Sequence, residues 1–111
     1  VTYMQTIAKN LKRYNCKMYY LSVNPVNTAM IKKAGAGNRT QAQVDAFNTK
    51  IYRSLCRGKN KSFTYINTCT NLLKKGWISN RHNAGIYDGL HYSNATYLKI
   101  FDYCMKTLNR G

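Results

Sequence analysis

Two short apolar runs limit most strongly what this chain can fold into. The first is KMYYLSV at residues 17–23, a continuous apolar and aromatic segment that Asn24-Pro25 ends. The second is SFTYIN at residues 62–67. A run of this length without alternation is typical of a strand that is covered on both faces, as in a parallel sheet. The two runs therefore predict two buried parallel strands.

Amphipathic helical patterns precede, separate and follow these runs. Residues 3–14 place apolar side chains three and four positions apart on one face, which predicts a helix. Thr40 has a side chain suited to an N-cap, and Arg57-Gly58 closes the helix that follows it. The apolar side chains of these two helices are Met4, Ile7, Ala8 and Leu11 in the first, and Val44, Phe47, Ile51 and Leu55 in the second.

The remaining segments are assigned from turn and cap signals. We expect residues 27–39 to form a loop, residues 70–75 a short helical turn that ends at Gly76, and residues 77–92 a long loop. Ser93 or Asn94 caps a final helix, whose wide apolar stripe we expect to pack in the core. That stripe contains Tyr97, Ile100, Phe101, Cys104, Met105 and Leu108.

The order helix, strand, helix, strand, helix predicts a layered α/β fold with parallel strands in one segment, residues 1–111. Two strands alone make a poor sheet, because both keep long unpaired edges. We therefore expect further strands, encoded upstream in a longer chain or supplied by a partner. The first residue is Val1 rather than Met, which we take to indicate a processed protein or a piece of a longer one.

The charge of the chain is strongly positive. It has 18 Lys and Arg against 3 Asp and Glu, a formal net charge of +15. Such a surface attracts polyanions such as nucleic acid, anionic lipid or a cell-wall polymer. The simpler interpretation is a solvated surface with few acids, because no known recognition motif accompanies the charge. A hydrophobic fraction of 44% excludes a disordered polycation, and no apolar run is long enough to predict a transmembrane segment.

The cysteines are Cys16, Cys56, Cys69 and Cys104. Their wide spacing contains no C-x-x-C motif for a metal or a redox pair, so we predict no metal site. We also predict no cofactor. Four thiols allow three complete disulfide pairings, and the sequence does not choose among them. Unpaired burial is equally compatible with the sequence, because a free cysteine packs like a small apolar residue.

One short segment contains residues that could take part in catalysis: Asp88, Gly89, Leu90 and His91. An aspartate can accept the Nδ1 proton of an imidazole and fix its tautomer, after which the other ring nitrogen can act as a general base toward a hydroxyl. Gly89 lets the backbone bend so that both side chains face one point. The plainer interpretation is a loop in which Asp88 only stabilises a turn.

The string DGLHYSNATYLKIFDYC, from Asp88 to Cys104, resembles the last conserved block of the SGNH (GDSL-type) hydrolases. Residues 20–27, 40–51 and 62–68 are similar, in the right order, to the elements that precede that block. The resemblance covers nearly the whole chain and corresponds to the C-terminal half of such a domain. It implies a flavodoxin-like fold and ester hydrolysis through an acyl-enzyme, in which Asp88 orients His91 and His91 activates a serine.

The chain departs from the family pattern at the nucleophile. It contains no G-D-S block and no G-x-N-D block, so the family's serine and its oxyanion asparagine are absent from this sequence. We therefore do not expect the polypeptide to hydrolyse esters by itself. The local residues considered as replacements or supporting groups are Ser22, Ser54, Ser62, Ser79, Ser93, His82 and Trp77, none of which we expect to supply the nucleophile.

Three interpretations of function follow. The first is the C-terminal portion of an SGNH-like esterase, whose substrate is an acyl ester such as an acylated carbohydrate or lipid. The second is a basic binding module for polyanions. The third is a non-catalytic remnant that pairs with a second copy or another chain through its open sheet edge. The resemblance, the basic charge and the cysteines together favour a secreted or cell-surface location.

Overall fold

A computed structural model describes residues 1–76 and 87–110. The elements in these residues are α1 (Thr2–Lys12), β1 (Tyr19–Leu21), α2 (Thr28–Ala34), α3 (Gln41–Ile51), a π-helical turn (Tyr52–Cys56), β2 (Thr64–Ile66), α4 (Thr68–Lys74) and α5 (Asn94–Asn109). Most of the predicted loop over residues 77–92 lies outside the described residues.

The two apolar runs form the predicted parallel sheet, but the prediction that both strands are buried is wrong: β1 has no buried residue, and Ile66 is the one buried residue of β2. Tyr19 pairs with Thr64 and Leu21 with Ile66, and the sheet of β1 and β2 is open rather than closed. Thr64 N donates to Met18 O at 2.9 Å where the pairing begins. The parallel α/β prediction is confirmed, and a sheet of two short strands is consistent with the expectation that it is incomplete.

The predicted loop over residues 27–39 is wrong in its first half, because α2 lies there. Asn27 caps this helix through its side-chain oxygen, which accepts from the amide of Met30 at 3.1 Å. Gly35 ends it in the left-handed conformation, with φ 63°. Only Ile31 of this helix is buried, so its apolar periodicity was too weak to predict it. The sequence signals for this helix were its two capping residues, Asn27 and Gly35.

Thr40 is the N-cap of α3, as predicted. Its hydroxyl accepts from Gln43 N at 3.2 Å, and Thr40 N donates to the Gln43 side chain at 3.0 Å. This reciprocal pair is a capping box. The helix continues into the π-helical turn and ends before Arg57, whose backbone is extended.

Two clusters of buried side chains form the core. The first lies between α1, the end of α3 and the start of β2, and Tyr20 and Tyr65 of the two strands pack against it. The second lies below α2 and α3 at the carboxyl end of β1. The first cluster contains Ala8, Ile51, Leu55, Cys56 and Phe63, and the second contains Val26, Ile31, Val44 and Cys69.

The final helix begins as predicted but is not buried as predicted. Ser93 is the N-cap of α5 and accepts from Thr96 N at 3.3 Å. Cys104 is buried, whereas Tyr97, Phe101 and Met105 remain 41%, 59% and 39% exposed. The expectation of core packing is wrong for these three side chains. Among the described elements, α5 packs mainly against α4, which is less than half its length and covers only part of the stripe.

The cysteines are not paired. Cys16 is an exposed free thiol, and Cys56, Cys69 and Cys104 are buried free thiols. Burial raises the pKa of the Cys56, Cys69 and Cys104 thiols, since the charged thiolate is poorly solvated there. Within residues 1–76 and 87–110, no helix is both long and apolar enough to cross a bilayer.

Candidate functional site

The carboxyl ends of β1 and β2 are tied together by buried polar side chains. Ser22 Oγ accepts from the amide of Cys69 at 2.9 Å and lies 3.1 Å from the Thr68 hydroxyl. Thr68 in turn donates to Asn24 Oδ1 at 2.8 Å. The network makes this edge of the sheet rigid. It is also the edge at which ligands of parallel α/β proteins bind.

Helix α3 fixes the segment that leaves β1. The Asn48 side chain donates to Val23 O at 2.9 Å and accepts from Val23 N at 2.8 Å. Gln41 Oε1 accepts from Val26 N at 2.8 Å. Because Asn48 is itself buried, these bonds satisfy backbone groups that have left the strand pairing.

The loop that carries Asp88 and His91 docks on this fixed segment. Gly89 is buried at φ 79°, and a Cβ there would lie 2.6 Å from Asn27 O and 2.8 Å from Ile31 N. The Gly89 carbonyl accepts from Asn27 N at 2.9 Å. A side chain at this position would force the loop away from α2, so the glycine permits both the bend that we predicted and the close approach.

A second anchor follows directly after His91. Tyr92 is 2% exposed, and its hydroxyl donates to the carbonyl of Pro25. Its ring meets the ring of Tyr97 edge-on at a centroid distance of 5.8 Å. The loop is therefore held at Gly89 and Tyr92, on both sides of the histidine.

Asp88 and His91 are in direct contact. His91 Nδ1 lies 2.5 Å from Asp88 Oδ2. The other carboxylate oxygen, Oδ1, accepts from the amides of Leu90 at 2.8 Å and His91 at 2.9 Å. The sequence prediction that these two side chains face one point agrees with this geometry.

The environment of Asp88 keeps its carboxyl ionised. Partial burial alone would raise the pKa of this carboxyl. The backbone amides of His91 and Leu90, and then the side chain of His91, outweigh that effect and lower the pKa to about 2. Asp88 is consequently a carboxylate at neutral pH, and its Oδ2 accepts a hydrogen bond from the Nδ1–H group of His91.

The arrangement orients an imidazole without burying it. The Asp88 side chain is 13% exposed and that of His91 is 54% exposed. A carboxylate on Nδ1 fixes the ring plane and leaves Nε2 as the nitrogen with a lone pair. Such a ring can take a proton from a hydroxyl presented on the solvent side and return it to a leaving group.

A groove adjoins the loop. Its volume is about 620 Å³, and Leu90 lines it together with Val23 and Val44. Phe47, 46% exposed, lies in the same wall, while Arg39 contributes positive charge. The groove is therefore apolar with a polar rim, which suits an acyl chain better than an ion.

Each candidate serine in the described residues has a structural role or lies in another part of the fold. Ser22 is buried in the network between the strands, and Ser93 caps α5. Ser62 lies at the amino end of β2, the opposite edge of the sheet, and Ser54 lies in the π-helical turn. Ser79, His82 and Trp77 lie outside the described residues.

Comparison with protein-family models, curated proteins and solved structures found no match to this chain. In the residues that the structure describes, no group of three or more His, Cys, Asp or Glu side chains is gathered to hold a metal ion. Asn27 and Tyr92 were not predicted as positioning residues. The capping residues Asn27 and Gly35 were a sequence signal for the role of Asn27. The sequence near Tyr92 contains no signal for its contact with Pro25.

Proposed function

We propose that this chain is the portion of an SGNH-like serine ester hydrolase that supplies the aspartate and histidine of the catalytic triad. The observation that carries the proposal is the 2.5 Å contact between Asp88 Oδ2 and His91 Nδ1, with the ring half exposed at the carboxyl edge of a parallel sheet. The open sheet supports it, because a flavodoxin-like domain needs further strands beside β1.

In this mechanism the hydroxyl nucleophile comes from outside the present sequence. His91 Nε2 takes the serine proton as the serine oxygen attacks the ester carbonyl, and it then protonates the departing alcohol. Water repeats the sequence on the acyl-enzyme and releases the acid. Asp88 stays ionised throughout and stabilises the imidazolium. The groove lined by Leu90 and Val23 receives the acyl chain of a lipid or an acylated carbohydrate, in a secreted or cell-surface setting.

The test is complementation. The chain is co-expressed with the polypeptide encoded immediately upstream of Val1, and turnover of p-nitrophenyl acetate is measured alongside labelling by a fluorophosphonate. We expect turnover only from the combination, with the label on a serine of the added polypeptide. An active combination whose turnover survives His91→Ala would remove this histidine from the mechanism.

Asp88→Asn provides a sharper test of the triad because it leaves the size of the side chain unchanged. We expect a loss of about 10⁴-fold in kcat, the scale seen when the aspartate of such a triad becomes an amide. Asp102→Asn is the matched control, since Asp102 is an exposed carboxylate on α5. Equal losses in both variants would show an effect of charge rather than of the triad.

The third interpretation from the sequence, pairing with another chain, is favoured by the open edge of the sheet at β1. Leu21 of β1 is 48% exposed, and in the described residues β1 has β2 as its one partner strand. Unpaired edges of this kind add strands from other chains. Sedimentation velocity over a wide range of concentrations should then show a dimer that forms as the concentration rises, and a monomer throughout would argue against it.

A further inference from the structure

A cleft lies at the edge of the sheet opposite the candidate site. Its volume is about 760 Å³, and its floor includes Met18, Tyr19 and Thr64 at the amino ends of the two strands. Five lysines line it: Lys9, Lys12, Lys17, Lys59 and Lys61. We call this the lysine cleft.

Local backbone turns bring these lysines together from distant parts of the sequence. After α1, Asn15 adopts a left-handed conformation with φ 54°, and the chain turns back so that Lys17 lies beside the helix end. After the π-helical turn, Gly58 at φ 89° begins the second turn. The amides of Ser62 and Phe63 both donate to Leu55 O at 2.9 Å, which holds the second turn against the core.

The helix dipole accounts for only part of this group. Lys9 and Lys12 lie in the last turn of α1, where a cation stabilises the helix dipole. Lys17, Lys59 and Lys61 lie outside the helices. Mutual repulsion among the five charges opposes folding. The chain has three acidic residues, and none of them lines the cleft.

We propose that the lysine cleft binds the phosphodiester backbone of a single-stranded nucleic acid. Phosphates passing between α1 and the loop before β2 meet ammonium groups from both walls. The side chains of Asn60, Ser62 and Thr64 along the cleft add hydrogen-bonding groups. Such a positively charged groove with an aromatic residue, here Tyr19, is the usual construction for binding a single strand without sequence preference.

The concave shape favours this ligand over other polyanions. A flat bilayer surface contacts the rim of a cleft and not its floor, so it does not reach Tyr19 and Thr64. A rigid duplex is excluded from the floor for the same reason. A single strand is narrow and flexible enough to follow the cleft, and each neutralised phosphate releases a counterion.

The test measures fluorescence anisotropy of a labelled oligothymidylate of about 12 nucleotides, within the usual site size for such grooves. The full chain is titrated at several salt concentrations. With five phosphates neutralised, we expect log Kd to change with log salt at a slope of about 3.5, from about 0.7 per phosphate on a single strand. Binding of the oligothymidylate should also exceed binding of the matching duplex.

Two triple variants separate the cleft from net charge. Lys17→Gln, Lys59→Gln and Lys61→Gln together should weaken binding by on the order of tenfold to a hundredfold and lower the salt slope by about 2. The control combines Lys32→Gln, Lys33→Gln and Lys50→Gln, which removes as many exposed charges from α2 and α3. We expect the control to bind as the parent chain does. Circular dichroism melting verifies that both variants are folded.

Three outcomes would overturn the proposal: no binding of the oligothymidylate, equal weakening by both triple variants, or lysine-dependent binding to phosphatidylglycerol vesicles in its place. The result does not depend on the proposed esterase function. The cleft and the pair of Asp88 and His91 lie at opposite edges of the sheet, and the binding assay uses no ester.

Discussion

The backbone amide of Asn27 donates a 2.9 Å hydrogen bond to the carbonyl oxygen of Gly89. This bond joins the N-cap of α2 to the middle of the loop that carries Asp88 and His91. Backbone atoms thus fix the position of the loop relative to the segment after β1. This contact is possible because residue 89 has no side chain.

Gly89→Ala should destabilise the fold and displace the Asp88–His91 pair. A methyl group there would overlap backbone atoms of Asn27 and Ile31, which cannot rotate away. Gly76→Ala is a matched control, because Gly76 has the same φ of 79° with nothing within 4 Å of an added Cβ.

Urea unfolding measures both free energies. We expect Gly76→Ala to cost about 1–2 kcal/mol, the penalty of a left-handed alanine. Gly89→Ala should cost more than that, since the overlap adds to the same penalty. Equal costs would mean that the close approach to α2 does not hold the loop.

The stability of the fold should depend on pH through Asp88. The pKa of this carboxyl is lowered from 3.8 to about 2 in the folded chain, so the unfolded chain binds the proton more readily. The stabilisation is therefore fully present above about pH 4, the unfolded pKa range, and is lost as the pH falls toward about 2.

Urea unfolding across that pH window tests this dependence. Asp88→Asn should flatten the profile, because the amide cannot exchange a proton. Asp102→Asn on α5 should keep the slope of the parent chain. A parent profile that Asp88→Asn leaves unaltered would contradict the assignment.

Tyr92→Phe should lower the free energy of unfolding by about 1–3 kcal/mol, because it leaves the buried carbonyl of Pro25 without this donor. Tyr3→Phe serves as the control, since the Tyr3 side chain is 87% exposed and its hydroxyl is solvated. Chemical denaturation compares the two. A cost for Tyr92→Phe no larger than that for Tyr3→Phe would show that the contact contributes nothing.

The thiols should react in two classes. Cys16 is exposed, whereas burial raises the pKa of Cys56, Cys69 and Cys104 and keeps them protonated. Under native conditions dithionitrobenzoate should therefore modify Cys16 rapidly and the buried thiols only after urea is added. Mass spectrometry of the quenched reaction identifies the modified residue. Rapid native modification of Cys104 would mean that α5 detaches from the core.

Features encoded in short stretches were predictable from the sequence. The runs around Tyr20 and Tyr65 predicted the positions of the two parallel strands, because apolar and β-branched runs of this length favour strands, but they did not predict how much of each strand is covered. Thr40 and Ser93 predicted helix starts because a cap is a local hydrogen bond. The three-residue spacing of Asp88 and His91 is likewise short enough for the chain itself to bring the two side chains together.

Features that depend on distant contacts were not predictable. The stripe on α5 indicated an amphipathic helix, but the exposure of Phe101 depends on which elements pack against that helix. The fit of Gly89 against Asn27 needs two segments far apart in sequence. The sequence showed the lysines as scattered charges, and only the turns at Asn15 and Gly58 make them neighbours.

Helix α5 runs between the two edges of the sheet. Ser93, two residues after His91, caps its first turn, and Thr107 in its last turn lines the lysine cleft. Its 16 residues extend about 24 Å. A small ester and a nucleic-acid strand would therefore occupy the molecule simultaneously and without competition. The nucleic acid and the ester would displace each other only if one of them were an extended polymer that reached along the whole length of α5.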